Sequence, residues 1–429
     1  MMSAIAALSL AFAATTSAPP AHATAPDSFY DYQGDTALDD LAPGTILATR
    51  TLSYHLAGIP TPITAIQLLY RSTDAQDRAS AAVTSVLLPP GGVDPAKAVA
   101  YQSFYDSLNP EHGPSRAIAG DVSFGGMVNT SEAILVADII SRGYTVIIAD
   151  TEGPQADFAA GPEYGMTTLD GIRAATHSVD TGLDEQTRIG LVGYSGGAIA
   201  TDWAAALAPT YAPDINNRLV GATEGGVLVN PAHNLRYVSG SIGWSGVAAM
   251  AILGVARSYD IDFTPYLSDY GSGLVARLHD ASIANVLFEY PGLTWAQLVK
   301  PEYADPNTVA PLVDSVPKVN LGTAPTPTIP LYIAQGAGGE LEGSDGSKPT
   351  VGRGDGVMVA GDVRALAQHY CDTGNPLVEY HQYDALSHVP SMLAWIPSVM
   401  PWIDARFAGQ PADTSCGAIA PGNPLTPDL

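Results

Sequence analysis

The sequence predicts an α/β fold, a mostly parallel sheet flanked by helices with a helical cap inserted late in the chain. Three observations predict it. Short β-branched runs alternate with helical segments, one serine sits in a glycine frame between a strand and a helix, and one long block breaks the alternation. The chain has 429 residues, 46% hydrophobic and 14% charged, which is enough apolar material for a large core and too little charge for a disordered chain.

Strands are expected over 81–86, 98–104, 144–149, 188–192, 221–229, 330–334 and 377–383. They read as near-continuous apolar runs, as strands do when helices cover both faces of a parallel sheet. Helices are expected over 131–141, 168–177, 197–207, 363–370 and 391–407. Between residue 231 and residue 325 the rhythm stops for about 100 residues, longer than an ordinary connection in a compact domain, and a helical cap is expected there. Its longest apolar run, 247–255, falls short of the ~20 residues of a membrane-spanning helix.

The N-terminus reads as a leader. An apolar run over 5–14 precedes Ala21-His22-Ala23, an A-x-A cleavage pattern before Thr24, although no Lys or Arg occurs before Arg50. A signal peptide over 1–23, one α/β domain over 24–429 that carries the cap, and export are the expectation. The 43 acidic against 18 basic residues give a net charge of −25, the wrong sign for a nucleic acid surface and unfavourable for an anionic membrane. Neutral lipid is not excluded by charge. The two cysteines, Cys371 and Cys416, are too few for a disulfide scaffold or a zinc ribbon. In an exported chain they are expected to pair. No H-E-x-x-H string occurs and the histidines are scattered, so no metal site and no cofactor are predicted.

The chemistry centres on Gly193-Tyr194-Ser195-Gly196-Gly197, a G-x-S-x-G pattern between the apolar run 188–192 and an Ala-rich helix. In that setting the serine occupies a sharp strand-to-helix turn at the top of an α/β-hydrolase sheet. A hydroxyl is a poor nucleophile at neutral pH and needs a base, itself oriented by a carboxylate, in the chain order Ser, Asp/Glu, His. His388, in the loop after the last strand, is the candidate base, whereas His381 lies within that strand and reads as a packing or surface residue. The acid lies in the Gly-rich loop after the strand 330–334. Asp355 is favoured over Asp345 because it stands just before a helix, and Asp362 is expected to cap that helix. Acyl transfer also requires two backbone N–H groups aimed at the developing oxyanion. Gly196 supplies one, and the residues alone leave Tyr105 and Asp106 as alternatives for the other.

The stretches Tyr101-Gln102-Ser103-Phe104-Tyr105-Asp106-Ser107, Leu169-Asp170-Gly171-Ile172-Arg173-Ala174, the serine pentapeptide and Ser387-His388 together resemble the secretory lipase family, over most of the chain after about Tyr30. The resemblance implies an α/β-hydrolase with a helical cap that acts on acylglycerols and simpler esters. It implies Ser195, Asp355 and His388 as the triad, with the N–H groups of Asp106 and Gly196 as the oxyanion hole. Asp355 is followed here by Gly356-Val357-Met358, where the family carries a more acidic string. Asp170 and Arg173 read as a helix-start carboxylate and its i,i+3 partner. Three functions stand open: an extracellular lipase or carboxylesterase taking a neutral ester or lipid substrate, a serine peptidase on the same fold, and a binding protein with an inactive site. A complete Ser, Asp, His series favours the first.

Overall fold

The computed structural model describes residues 27–429, so the leader expected over 1–23 lies outside the described residues. Nine strands form one sheet: β1 (Ile46–Leu56), β2 (Ile59–Thr73), β3 (Ala79–Leu88), β4 (Lys97–Gln102), β5 (Thr145–Ala149), β6 (Arg188–Tyr194), β7 (Leu219–Gly225), β8 (Leu331–Gly336) and β9 (Val378–Tyr383). Their order is β1-β2-β3-β5-β4-β6-β7-β8-β9. The neighbours from β5 to β9 pair in parallel, and β1, β2, β3 and β5 pair antiparallel. Successive residues alternate between two cores. Ala98, Ala100, Ile189 and Leu191 pack on one face of the sheet, Val99, Tyr101 and Val192 on the other. Burial of both faces is why the central strands read as unbroken apolar runs.

The first two strands were not legible. β2 opens with Pro60 and Pro62, which cannot donate to a strand ladder, and β1 is mostly half-exposed. The prolines are tolerated because β2 pairs with β3 only from Thr64 onward, leaving its first residues paired on one side alone. The hairpin turns at Ala57-Gly58, both with positive φ (49° and 77°). Two such residues match the twist of the flanking strands, but Ala-Gly lacks the Asn-Gly signal that normally marks the turn.

Helices flank the sheet: α1 (Pro114–Ala119), α2 (Val128–Ser131), α3 (Ala133–Ser141), α4 (Gly161–His177), α5 (Gly196–Tyr211) and α6 (Pro213–Asn216). Between β7 and β8 the described chain forms only helical elements: α7 (Pro231–Val238), α8 (Ser245–Ser258), α9 (Asp269–Leu278), α10 (Ile283–Val286), α11 (Trp295–Leu298), α12 (Ala310–Ser315) and 3-10 turns. Two further apolar clusters, built around Met250 and Leu274 and around Phe263 and Val309, hold this block together. α13 (Ala360–Asp372) and α14 (His388–Phe407) complete the chain's helices.

Three local expectations need correction. α4 begins at Gly161, well before residue 168, and its glycines let it press against α5: a Cβ on Gly165 would lie 2.7 Å from the Trp203 carbonyl carbon. Asp170 is therefore inside the helix, not at its start, where it takes hydrogen bonds from Ser72 Oγ (3.1 Å), Tyr211 Oη (2.7 Å) and Arg173 (2.8 Å). Asp362 does not cap α13, whose N-cap is Val359. Its carboxylate instead meets His233 Nδ1 at 2.8 Å and accepts from Asn423 at 2.7 Å, tying α13 to α7.

Cys371, in the last turn of α13, is disulfide-bonded to Cys416 at a sequence separation of 45. A cross-link closing a loop of that length removes chain entropy worth about 4 kcal/mol from the unfolded state. The double variant Cys371→Ser/Cys416→Ser is expected to lose most of that stability in denaturant unfolding. An unchanged midpoint would mean that native strain cancels the entropic gain.

Candidate active site

The parallel strands deliver the predicted residues to one end of the sheet. Ser195 follows β6, Asp106 follows β4, Asp355 lies in the excursion after β8, and His388 follows β9. Outside the carboxyl ends of such strands is where open α/β sheets place their sites. Ser195 adopts φ 56° and ψ −119°, a conformation that costs a non-glycine residue energy and persists only where the surroundings enforce it. They do so by close approach: a Cβ on Gly193 would lie 2.2 Å from the Gly197 carbonyl oxygen, and one on Gly197 2.1 Å from the Gln102 oxygen. The Ser195 N–H donates to the Gly225 carbonyl on β7 at 2.9 Å, pinning the turn.

Ser195 Oγ lies 2.8 Å from His388 Nε2, and His388 Nδ1 lies 2.7 Å from Asp355 Oδ2. All three residues are buried. Asp355 is held on every side: Oδ1 accepts from the Val357 and Met358 N–H groups (3.1 and 2.8 Å), Oδ2 from Gln335 Nε2 (3.0 Å), and its carbonyl from the His388 N–H (2.7 Å). The Gly-Val-Met sequence after Asp355 thus serves the carboxylate through its backbone. Asp345, the alternative acid, lies elsewhere, with its carboxylate exposed and accepting from the Ser347 N–H. His381 is partly exposed, bonded to Glu379 at 2.8 Å and stacked on Tyr332.

His388 is the first residue of α14, not a loop residue. Its ring meets Tyr194 and Trp244 at centroid distances of 5.2 and 5.1 Å. Burial alone depresses its pKa, but the Asp355 carboxylate outweighs it and the net shift is upward from 6.5. Trp244 Nε1 donates to Glu342 Oε2 at 2.7 Å, and Glu342 also accepts from the Val389 N–H at 3.3 Å. Glu342 comes from the Gly-rich segment after β8, so that segment braces the edge of the histidine. No pattern in the sequence pointed to it.

The β4 loop is clamped from both sides by buried carboxyl groups that sequence reasoning missed. Glu132 accepts from the Phe104 N–H and Ser103 Oγ, both at 2.7 Å. Glu152 accepts from the Ser107 N–H (3.0 Å) and Tyr164 Oη (3.0 Å). Between them Asp106 is buried at φ 35°. Its Oδ1 lies against Gly196, where a Cβ would come within 1.7 Å. Burial raises the Asp106 carboxyl to about 8, with the nearby His388 pulling the other way. Neither the Asp106 N–H nor the Gly196 N–H donates to a backbone carbonyl among the described residues.

Ser195, Gly196 and Asp106 open into a cavity walled by α7, α8 and the segment around Val316. Its lining is almost wholly apolar. Among the described residues no group of three or more His, Cys, Asp or Glu side chains is arranged to hold a metal, and no helix is long and apolar enough to cross a membrane.

The strand order, with a serine in the tight turn after a central parallel strand, defines the α/β-hydrolase class. Within that class the chain belongs to the secretory lipase family, whose model matches residues 121–415. Lipase 2 of Candida albicans is 30% identical over 91% of this chain and 82% of that protein. A probable inactive lipase of Mycobacterium tuberculosis is 30% identical over 86% of this chain and 79% of that protein. Among solved structures, Candida antarctica lipase A in its closed state superposes with a TM-score of 0.78 at 22% identity, covering 94% of this chain and 91% of the other. A rice cell wall degrading esterase, LipA from Xanthomonas oryzae, does so with a TM-score of 0.64 at 15% identity over 86% and 100%.

Proposed function

We propose that the protein is a secreted serine hydrolase of carboxylic esters, acylglycerols among them, working through an acyl-enzyme on Ser195. The observation that carries the reading is the unbroken series Ser195, His388, Asp355 at 2.8 and 2.7 Å, opening on an apolar cavity. His388 Nε2 takes the Ser195 proton as Oγ attacks the ester carbonyl, and Asp355 stabilises the imidazolium that forms. The Gly196 N–H at the head of α5 and the Asp106 N–H face the developing oxyanion. The imidazolium returns its proton to the departing alkoxide. A water then enters by the same route in reverse, leaving a free carboxylic acid.

The helical block between β7 and β8 acts as the cap over this site, since α7 and α8 wall its cavity. Ile242, Leu341 and Val389 are exposed although each adjoins Gly243, Glu342 or His388 in sequence, and the exposed Phe288 lies against Gly243. They form an apolar rim suited to transient contact with a neutral lipid surface, which a net charge of −25 leaves open.

A fluorophosphonate probe is expected to label Ser195, and a nitrophenyl ester to be turned over where an aminoacyl anilide is not. Absence of labelling would class the protein with inactive relatives. Preference for the anilide would make it a peptidase.

A further inference from the structure

α14 carries His388 as its first residue, so whatever holds the first turn of that helix also places the imidazole. A helix start leaves its leading N–H groups without partners inside the helix. The N-cap side chain usually accepts from one of them, but Ser387 makes no such bond. Two acidic residues from the excursion after β8 supply acceptors instead. The Asp355 carbonyl takes the His388 N–H at 2.7 Å, and Glu342 Oε1 takes the Val389 N–H at 3.3 Å. Pro390, next in line, has no N–H to place.

Glu342 ends the 3-10 turn Gly339–Glu342, which Gly343 closes in the left-handed region (φ 83°). Its other oxygen, Oε2, accepts from Trp244 Nε1 at 2.7 Å. Trp244 is buried at the head of α8, with its ring nearly perpendicular to the His388 imidazole. A buried indole N–H needs an acceptor, so the carboxylate fixes the ring and the ring confines the imidazole. Room for the pair exists because residue 356 is glycine: a Cβ there would lie 2.8 Å from Glu342 Oε2 and 2.9 Å from Trp244 Nε1. The Gly339 N–H donates to the Gly354 carbonyl at 2.8 Å and Ser344 Oγ to the Gly356 carbonyl, which ties the turn to the loop bearing Asp355.

We propose that Glu342 is a positioning residue for the hydrolytic reaction: one oxygen sets the first turn of α14, the other sets the Trp244 ring, and together they hold the His388 imidazole in line between Asp355 and Ser195. The proposal rests on the ester-hydrolase reading for what the imidazole does, and on the two hydrogen bonds for how it is held. The charge of Glu342 acts on the same ring. Burial lowers the His388 pKa, Asp355 raises it, and Glu342 and then Asp106, from the loop after β4, add to the rise. Tyr194 on β6 gives its hydroxyl to the His388 carbonyl at 2.8 Å. Position and charge can be separated by substitution.

Glu342→Ala removes both acceptors and the charge, whereas Glu342→Gln keeps the shape and an acceptor without the charge. With nitrophenyl acetate, Glu342→Ala is expected to lower kcat by about tenfold and to leave KM within about twofold, as a displaced base does, and Glu342→Gln to recover most of the loss. In both variants the acid limb of the kcat/KM profile should move down by about half a pH unit, because a carboxylate that favoured the imidazolium is gone. Glu340→Ala, on the same turn but paired with Arg353, is the control and should match the wild type. The shift is also read without turnover from Trp244 fluorescence, which a protonated imidazole in contact quenches. Subtracting the spectrum of the matching Trp244→Phe protein isolates Trp244 among the five tryptophans. Where melting transitions are unchanged, a wild-type kcat in Glu342→Ala overturns the proposal, and so do kinetic and fluorescence midpoints that stay at the wild-type pH. Should Glu342→Ala not fold, the midpoint in Glu342→Gln decides alone. If no ester is turned over but the fluorescence midpoint still moves down, the ester-hydrolase reading fails while the hold of Glu342 on His388 stands.

Discussion

Ser195→Ala and His388→Ala are each expected to lower ester turnover by about a million-fold while the unfolding transition stays in place, because members of such a series act as a unit. Each substitution alone removes the nucleophile or the group that takes its proton, so the double variant should be little worse than either single one. The carboxylates rank differently. Asp355→Asn keeps the shape but can no longer stabilise the imidazolium or fix the tautomer that points Nε2 at the serine, and about a ten-thousand-fold loss in kcat is expected. Asp345→Asn, at an exposed position that makes no hydrogen bond to His388, should be indistinguishable from wild type. Steady-state kinetics on a short nitrophenyl ester give the ranking. A Ser195→Ala protein that kept a tenth of its activity would place the nucleophile elsewhere.

How much of this was readable beforehand depends on whether a residue's role follows from its own neighbours in sequence or from distant ones. Ser195 was legible because its turn is local: an apolar strand, a glycine frame and an Ala-rich helix occupy consecutive positions. His388 was legible as the residue after the last strand, although its exact setting was not, since nothing nearby announced that α14 starts on it. The parallel strands could be read from their apolar runs. β1 and β2 could not, because their proline and polar residues are tolerated only through which neighbours each strand segment has. Glu132, Glu152, Gln335 and Glu342 had no local signal at all. Each is a common residue type whose significance comes from a partner far along the chain: Phe104, Ser107, Asp355 and Trp244 respectively. The resemblance singled out Asp106 from Tyr105 where backbone reasoning alone could not, and the structure adds what neither offered, a carboxyl group buried against the residue after the nucleophile.

With that carboxyl and His388 both titrating, the rate is expected to depend on pH at both ends. On the acid side activity falls as His388 takes a proton and can no longer act as base, with a midpoint above 6.5 because Asp355 holds the proton on. On the alkaline side Asp106 is expected to set the limb. Neutral, its carboxyl can donate toward the oxyanion beside Gly196; ionised, it sets a negative charge against the charge that develops there. With its pKa raised to about 8, turnover should decline above that pH, approaching about tenfold for each further unit. Linkage has the same sign. The folded-state value stands above the unfolded one near 3.8, so the stability tied to this proton is complete below about pH 4 and is lost as pH rises through about 8. Circular dichroism at each pH therefore accompanies the kinetics, to separate a titrating site from an unfolding protein. Asp106→Asn is the deciding variant: asparagine accepts the positive φ as aspartate does, keeps a donor in place and cannot ionise. Its profile should retain the acid limb and run flat above pH 8, with turnover at pH 9 exceeding that of the wild type. An alkaline limb that persists unchanged in Asp106→Asn, with the fold intact, would assign the titration to another group and leave Asp106 contributing its backbone N–H alone.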